Sequence, residues 1–419
     1  MEYKLEKLID SVSIKHPFSK KNVVFLNTSD IEEGNILKKE YSKIDDLPGQ
    51  AKKSIQPNDI LYSEIRPKNK RYAYINFECD DYVVSTKLMV LRNINPDLVH
   101  SKYLYYFLID QKTVNYLQNI AESRSGTFPQ ITFSEVKNLK LDLPSIEKQI
   151  TIINIMDTLN EKINNNNKII ANLEELSQTL FKRWFVDFEF PDENGTPYKS
   201  SGGEMIDSEL GKIPSNWKIY KLKDIASHKK ETFNPKKSKE VIVKHFSLPA
   251  YDNEEQAIEE EVNKIKSNKW IINNNCVLFS KMNPDTKRIW LPVIDNKKLN
   301  VASSEFVVME SPNNKTNSFI YNICLNSQFI DYLKANTTGS TNSRQRVKPT
   351  IAVNYKLAIE DSIVKKYSEI ITPYMEEMKI LRSEIGKLTQ LRDTLLPKLM
   401  SGEIEIPDDI EVNNDELSI

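Results

Sequence analysis

The sequence predicts an α+β protein with a pseudo-two-fold internal repeat, in which two similar, mixed α/β globular parts are separated by two long antiparallel helices. The first of three observations behind this is a stretch at residues 147–187 that holds neither Gly nor Pro. Its apolar side chains recur in steps of three and four: Ile152, Ile155, Leu159, Ile163, Ile169 or Ile170, Leu173, Leu176, Leu180 and Trp184. Sustained spacing of this kind marks a coiled-coil seam, and the helix would be roughly 60 Å long. The second is a stretch at residues 362–402 with the same alternation, through Tyr367, Ile371, Tyr374, Met378, Leu381, Ile385, Leu388, Arg392, Leu395 and Leu399. The third is self-similarity. Tyr3-Lys4-Leu5 matches Tyr220-Lys221-Leu222, an offset of 217 (220 − 3), and Asn58-Asp59-Ile60-Leu61-Tyr62-Ser63 matches Asn275-Cys276-Val277-Leu278-Phe279-Ser280 at the same offset. Pro67 and Arg71 fall on Pro284 and Arg288, and later matches drift only to 215, where Thr179-Leu180 meets Thr394-Leu395 (394 − 179). Matches that keep their order over the whole chain indicate two diverged copies of one unit, each a globule followed by a helix.

The first globular part covers residues 1–146. Short β-rich runs at 23–26, 60–62, 72–75 and 83–91 are separated by Asn, Asp, Gly and Pro. A helix is expected over 101–118 with Ser101 as its N-cap, then a polar loop at 123–130. The first long helix takes 147–187. Asn164–Asn167 in its middle has two readings, a polar interruption that fixes register or a solvated bend; register is preferred. Phe181, Trp184, Phe185, Phe188 and Phe190 read as an anchor of the helix end in apolar core rather than an aromatic platform. Residues 188–217 hold four of the ten glycines and read as an extended linker. The second globular part, 218–361, carries matching runs at 241–248, 277–279 and 301–309, a helix near 318–334 and a polar loop at 337–348. In the second long helix, 362–402, Pro373 marks a kink or the effective start, and Ser401-Gly402 is a good stop. An acidic tail, 403–419, follows.

Composition bounds the function. The chain has 419 residues, 28% charged and 39% apolar, with no run long enough to span a membrane and no secretory signal. Cys79, Cys276 and Cys324 have unrelated spacings, which argues for a reducing cytoplasm and ordinary core thiols, against disulfides or zinc. The net charge of −1 conceals segregation: basic residues cluster at 66–71, 229–239 and 344–348. A local positive face on a neutral protein is what a nucleic acid would meet.

No dinucleotide fingerprint, Walker loop, HExxH or GxSxG is present, and the four histidines have no metal-ligand or triad spacing. Asp285, Asp295 and Lys297 loosely fit a metal-dependent nuclease pattern, which the matching place in the first copy lacks. The absence of a catalytic constellation favours a recognition or assembly component. Its candidate DNA-binding residues are Arg66, Lys68, Lys70 and Arg71, then Arg124, Ser125, Thr127 and Gln130, and in the second copy Lys287, Arg288, Ser340, Thr341, Arg344, Gln345 and Arg346. Arg and Gln can make bidentate contacts with base edges, Lys neutralises phosphates, and Ser and Thr serve either. The competing readings are a coiled-coil scaffold that binds no DNA, and the autonomous nuclease.

Several motifs carry a resemblance. Leu143-Pro144-Ser145-Ile146-Glu147-Lys148-Gln149, Asn172-Leu173-Glu174-Glu175-Leu176, the run LFKRWFVDFEFP at 180–191, PYKSSGGEM at 197–205, Leu210-Gly211-Lys212-Ile213-Pro214 and Trp217 are similar to the specificity (S) subunits of Type I restriction–modification systems. So is the closing LRDTLLPKLMSG at 391–402. The second helical region departs in its entry, with Ile359-Glu360-Asp361 in place of a Leu-Pro…Glu-Gln pattern. The resemblance implies two target-recognition domains, each binding one half of a bipartite double-stranded DNA target, and a helix pair that sets the spacing. It also implies docking of two modification (M) methyltransferase subunits and of restriction (R) subunits. S-adenosylmethionine, Mg and ATP are then expected only on those partners, with no cofactor, metal or catalytic residue in this chain.

Overall fold

The computed structural model describes residues 1–124, 129–253, 255–313, 315–339 and 345–405. The chain forms two compact units: Met1–Lys162 together with the chain from Leu388, and Ile163–Lys387. Among the described residues no helix is long and apolar enough to cross a membrane.

In the first unit Glu2–Lys4 pairs antiparallel with Lys140–Asp142, Tyr3 opposite Leu141, so the globular part closes where it begins. Between these strands lie two four-stranded sheets. One orders Ile9–Val12, Leu88–Asn93, Ile60–Ser63 and Tyr72–Tyr74, all antiparallel. The other orders Tyr41–Lys43, Asn22–Leu26, Tyr82–Ser85 and Ala51–Ser54, and its central pair is parallel. Alternate residues of a strand face opposite sides. Leu61, Ala73, Leu88 and Val90 meet Val24, Leu26 and Val84 in one core. Ile60, Tyr62, Met89 and Leu91 face a second core, with Tyr103, Leu104, Leu108, Ile152, Ile153 and Met156. Buried on both faces, these strands appear in the sequence as continuous apolar runs.

Residues 101–118 form parts of two helices, Ser101–Ile109 and Gln111–Arg124, rather than one. Asp110 leaves the helical region at ψ 136°, and its carboxylate accepts from the Lys112 N–H at 3.2 Å, so it caps the second helix. The first is capped by His100, whose Nδ1 accepts from the Lys102 N–H at 3.1 Å, and not by Ser101.

The second unit repeats the plan. Lys218–Lys221 pairs with Lys356–Ile359, Tyr220 opposite Leu357. One sheet orders Ser227–His228, Phe306–Glu310, Cys276–Ser280 and Ile289–Trp290. The other orders Thr232–Phe233, Lys269–Ile271, Asn300–Ala302, Ile242–Phe246 and Ile258–Glu261, with Ile242–Phe246 parallel to Asn300–Ala302. Asn326 stands where Asp110 does in the first copy and caps Ser327–Ala335 by accepting from the Gln328 N–H at 2.9 Å.

Residues 188–217 are not an extended linker. Phe190 and Trp217 are buried and stack at 5.0 Å, and Trp217 also meets Phe185 and Phe188. Met205–Ser208 and Gly211–Pro214 form a hairpin, whose turn Gly211 closes at φ 89°. The aromatic side chains outweigh the looseness that so many glycines suggest. Phe181, Trp184 and Phe185 surround Tyr367, which bears out the anchoring role expected for the end of the helix.

The long helices are Ile146–Phe181, continued by a π-helical turn over Lys182–Val186, and Asp361–Met400. The second begins at Asp361, so Pro373 is not its start. In the first unit Ile152, Ile153 and Met156 share a core with Leu396, Leu399 and Met400; Ile155, Leu159 and Leu395 lie partly buried beside them. In the second unit the segments run antiparallel: Asn166 meets Glu384, Glu174 meets Arg382, and Ser177 meets Tyr367. The buried positions there are Ile163, Asn166, Ile170, Ser177 and Phe181 against Tyr367, Ile371, Met375, Met378, Leu381, Arg382 and Ile385. The expected seam is thus corrected at several places. Leu176 is 56% exposed, Ile169 is exposed where Ile170 is buried, and Leu173, Leu180, Tyr374 and Leu388 are half-buried. Ser177 takes the inward place, fully buried, and its carbonyl accepts from the Tyr367 hydroxyl at 3.0 Å. One residue is about 100° of helix rotation, so Leu176 then faces out. Asn166 is 1% exposed and donates to Glu384 Oε2 at 2.8 Å within an unbroken helix, which excludes the solvated bend and leaves the register reading.

Ile170→Ala should cost about 2–5 kcal/mol in denaturant unfolding, whereas Leu176→Ala should stay within about 0.5 kcal/mol. Asn166→Leu should raise the thermal midpoint by an amount equivalent to about 1 kcal/mol, and cysteine pairs set one turn out of register should then cross-link where they do not in the parent chain.

Candidate nucleic-acid interface

The basic stretch at 66–71 leaves the strand Ile60–Ser63 and returns in Tyr72–Tyr74. Its backbone is held by a small set of hydrogen bonds. Ser63 N–H donates to the Arg71 carbonyl at 2.9 Å, Ile65 N–H to Ser63 Oγ at 3.0 Å, and Asn69 N–H to the Arg66 carbonyl at 2.7 Å. A second strand segment is pinned alongside: Ile131 N–H donates to the Glu64 carbonyl at 2.9 Å, and Arg66 N–H to the Pro129 carbonyl at 3.1 Å.

The second unit reproduces all five bonds. Ser280 N–H donates to the Arg288 carbonyl, Met282 N–H to Ser280 Oγ, Thr286 N–H to the Asn283 carbonyl, Val347 N–H to the Lys281 carbonyl and Asn283 N–H to the Gln345 carbonyl, at 2.9–3.1 Å. Arg66 and Asn283 are equivalent, and both are left-handed, at φ 45° and 47°. A non-glycine residue is rarely found there; the strain is of order 1–3 kcal/mol and tends to be kept at functional sites. Asn283 was missed in the sequence, although Pro67 and Pro284, which follow the two residues, match in the repeat.

The expected cations are not bare. Arg71 pairs with Glu32 at 3.3 Å and donates to the Ile31 carbonyl at 2.8 Å. Lys70 meets Glu33 at 2.8 Å, Arg124 meets Glu135 at 2.5 Å, and Arg346 meets Glu305 at 3.2 Å. Arg288 grips Asp252 through Nε and a terminal nitrogen at 2.6 and 2.9 Å. Arg71 and Arg288 therefore brace their loops from within rather than standing free to meet a base. Arg66, Lys68, Gln130 and Lys287 are exposed on these loops, and Gln345 is half-buried. The Lys68 N–H donates to the buried Gln118 at 3.1 Å, which fixes where its side chain emerges. The expected contacts Ser125, Thr127, Ser340, Thr341 and Arg344 lie outside the described residues.

The nuclease reading finds no support in local geometry. Asp285 pairs with Lys334 at 2.8 Å, while Asp295 accepts from the Lys297 N–H at 2.8 Å in its own turn. The three cysteines are buried, and burial pushes the thiols of Cys79 and Cys276 up to about 12 and about 11.

Residues 10–175 match the family model of the Type I restriction modification DNA specificity domain. The chain is 48% identical over 189 residues to the Type I restriction enzyme HindI specificity subunit of Haemophilus influenzae, covering 45% of this chain and 41% of that protein. It is 28% identical over 324 residues to the MjaIX specificity subunit of Methanocaldococcus jannaschii, covering 75% and 72%. The alignment thus spans under half of the first relative and most of the second. In fold, the chain is similar to the crystal structure of a Type I restriction–modification S subunit from M. genitalium, with a TM-score of 0.54 at 15% identity over 96% of both chains.

Glu135 gives this interface a pH dependence. Burial opposes its charge, but donors from Ser134, Thr132 and Arg124 outweigh burial and hold the carboxyl at about 2, against an ordinary 4.5. Its stabilising effect is present above about pH 4.5 and is lost as pH falls towards 2. Glu135→Gln should cost about 2 kcal/mol at neutral pH, and the gap between the two melting curves should close across that acid window.

Proposed function

We propose, from the premise that the chain belongs to the specificity subunits of Type I restriction–modification systems, that it reads a bipartite DNA target and carries no catalysis of its own. The observation that carries the reading is the duplicated loop, with five equivalent hydrogen bonds and a left-handed residue at the same place in each unit. One backbone frame carries different side chains: Arg66, Lys68 and Gln130 in one unit, Asn283, Lys287 and Gln345 in the other. Each unit then reads its own half-site, and the halves differ. The exposed cations bind phosphate and fix register, while Arg, Asn and Gln read base edges.

The long helices suit a ruler. The first, Ile146–Phe181, would be about 54 Å long, against about 34–36 Å for a turn of B-DNA. A rigid tie also joins two weak half-site readers through effective concentration. We assign methylation to two modification subunits docked on the helical regions, with S-adenosylmethionine bound there, and cleavage to restriction subunits that use ATP and Mg. The complex works in the cytoplasm.

The test is sequencing of methylated adenines in a host that expresses the chain with its modification subunits. The expected result is one asymmetric, two-part motif with a constant gap; exchange of residues 1–146 for those of a relative should change one half only. Methylation without a two-part motif would overturn the reading.

A further inference from the structure

The second unit contains a buried guanidinium that the proposed reading leaves unused. Arg382 lies in the middle of the second long helix and is 6% exposed. One of its terminal nitrogens meets Glu174 of the first long helix at 2.8 Å and Glu255 of the globular part at 3.1 Å. Tyr321 donates to the same Glu174 oxygen at 2.6 Å. The Arg382 carbonyl accepts from Gln256 Nε2 at 3.1 Å. One turn further on stands Gly386, where a Cβ would come within 2.6 Å of Gln256 Oε1. A glycine inside a helix costs about 1 kcal/mol relative to alanine, and here it leaves room for the glutamine.

Glu255 and Gln256 follow the short helix Leu248–Asp252. The same C-terminal end of that helix holds the candidate interface: the Tyr251 carbonyl accepts from the Glu255 N–H at 2.9 Å, Asp252 takes Arg288, and the Tyr251 hydroxyl donates to the Lys287 carbonyl at 3.2 Å and accepts from the Ile289 N–H at 3.3 Å. An unbroken line of contacts thus joins the basic loop to the helix pair. The matching segment of the first unit is closed differently. There Gly34 fits against the Tyr105 hydroxyl, 2.7 Å from where a Cβ would be, and Glu32 and Glu33 take Arg71 and Lys70. Stability does not explain the buried charge, since apolar residues often replace such clusters at no loss. What a charge cluster supplies and an apolar contact does not is a fixed direction.

We propose that Arg382 is a positioning residue, which through Glu255 and Gln256 sets the angle at which the Arg288 loop meets DNA and so restricts the gap before the second half-site. This rests on the DNA-reading function above. The experiment compares the full chain with Arg382→Met and Arg382→Met/Glu255→Gln, each co-expressed with the modification subunits and read by methylated-adenine sequencing. The single variant should lose thermal stability, because two carboxylates are left without their counter-charge, and the double variant should recover most of it. Both should keep the two half-sites while methylating sites a base pair longer or shorter in gap roughly tenfold more than the parent does. A stable double variant that keeps the parent's single gap overturns the proposal and leaves the function standing. Loss of any two-part motif in the parent itself overturns the function and this inference with it.

Discussion

Neither long helix can stand alone. A helix with one apolar stripe must cover it, and the cover for each is the other, segment by segment within each unit. Ile163, Ile170 and Phe181 need Tyr367, Met378 and Ile385; Ile152 and Met156 need Leu396 and Leu399. Because the covering residues come from far along the chain, neither globular part is complete until the last helix is made. Polar groups on the seam do the aligning. Asn166 finds Glu384, and the buried Tyr367 hydroxyl finds the Ser177 carbonyl; a helix slipped by one turn would take Asn166 from its partner.

The duplicated interface shows a division of labour within a single loop. Its shape comes from backbone amides, carbonyls and one serine hydroxyl, Ser63 or Ser280, and those are the parts the two copies share. The remaining side chains are then free to diverge. Arg66 and Asn283 occupy the same strained backbone position with unrelated chemistry. A frame of this kind can present a new set of contacts with no change in fold.

Much of the architecture was legible because it depends on periodicity and on repetition. Steps of three and four located both helices, and the nearly constant offset located the second copy and its strands near 241–248, 277–279 and 301–309. What stayed hidden depended on partners distant in sequence. That Ser177 is buried and Leu176 exposed depends on where the second helix lies against the first. The break at Asp110 turned on a side chain competing for a backbone amide, and four glycines concealed the stacking of Phe190 on Trp217. The basic clusters were visible, but not the carboxylates that hold them: Glu32 comes from a short strand and Asp252 from the helix Leu248–Asp252, each more than thirty residues away in sequence. Arg382 drew no notice in the sequence, because its carboxylate partners Glu174 and Glu255 lie far from it along the chain.

Those carboxylates bear on how such a protein searches a genome. On the proposed function, a duplex that approaches Lys70, Arg124 or Arg346 meets a cation already satisfied by an anion, so contact exchanges one partner for another. Contact with phosphate then falls first to the exposed Lys68 and Lys287, and the overall charge of −1 adds no long-range pull. On that reading the paired cations join the contact only where a base contact made beside them repays the ion pair that is given up.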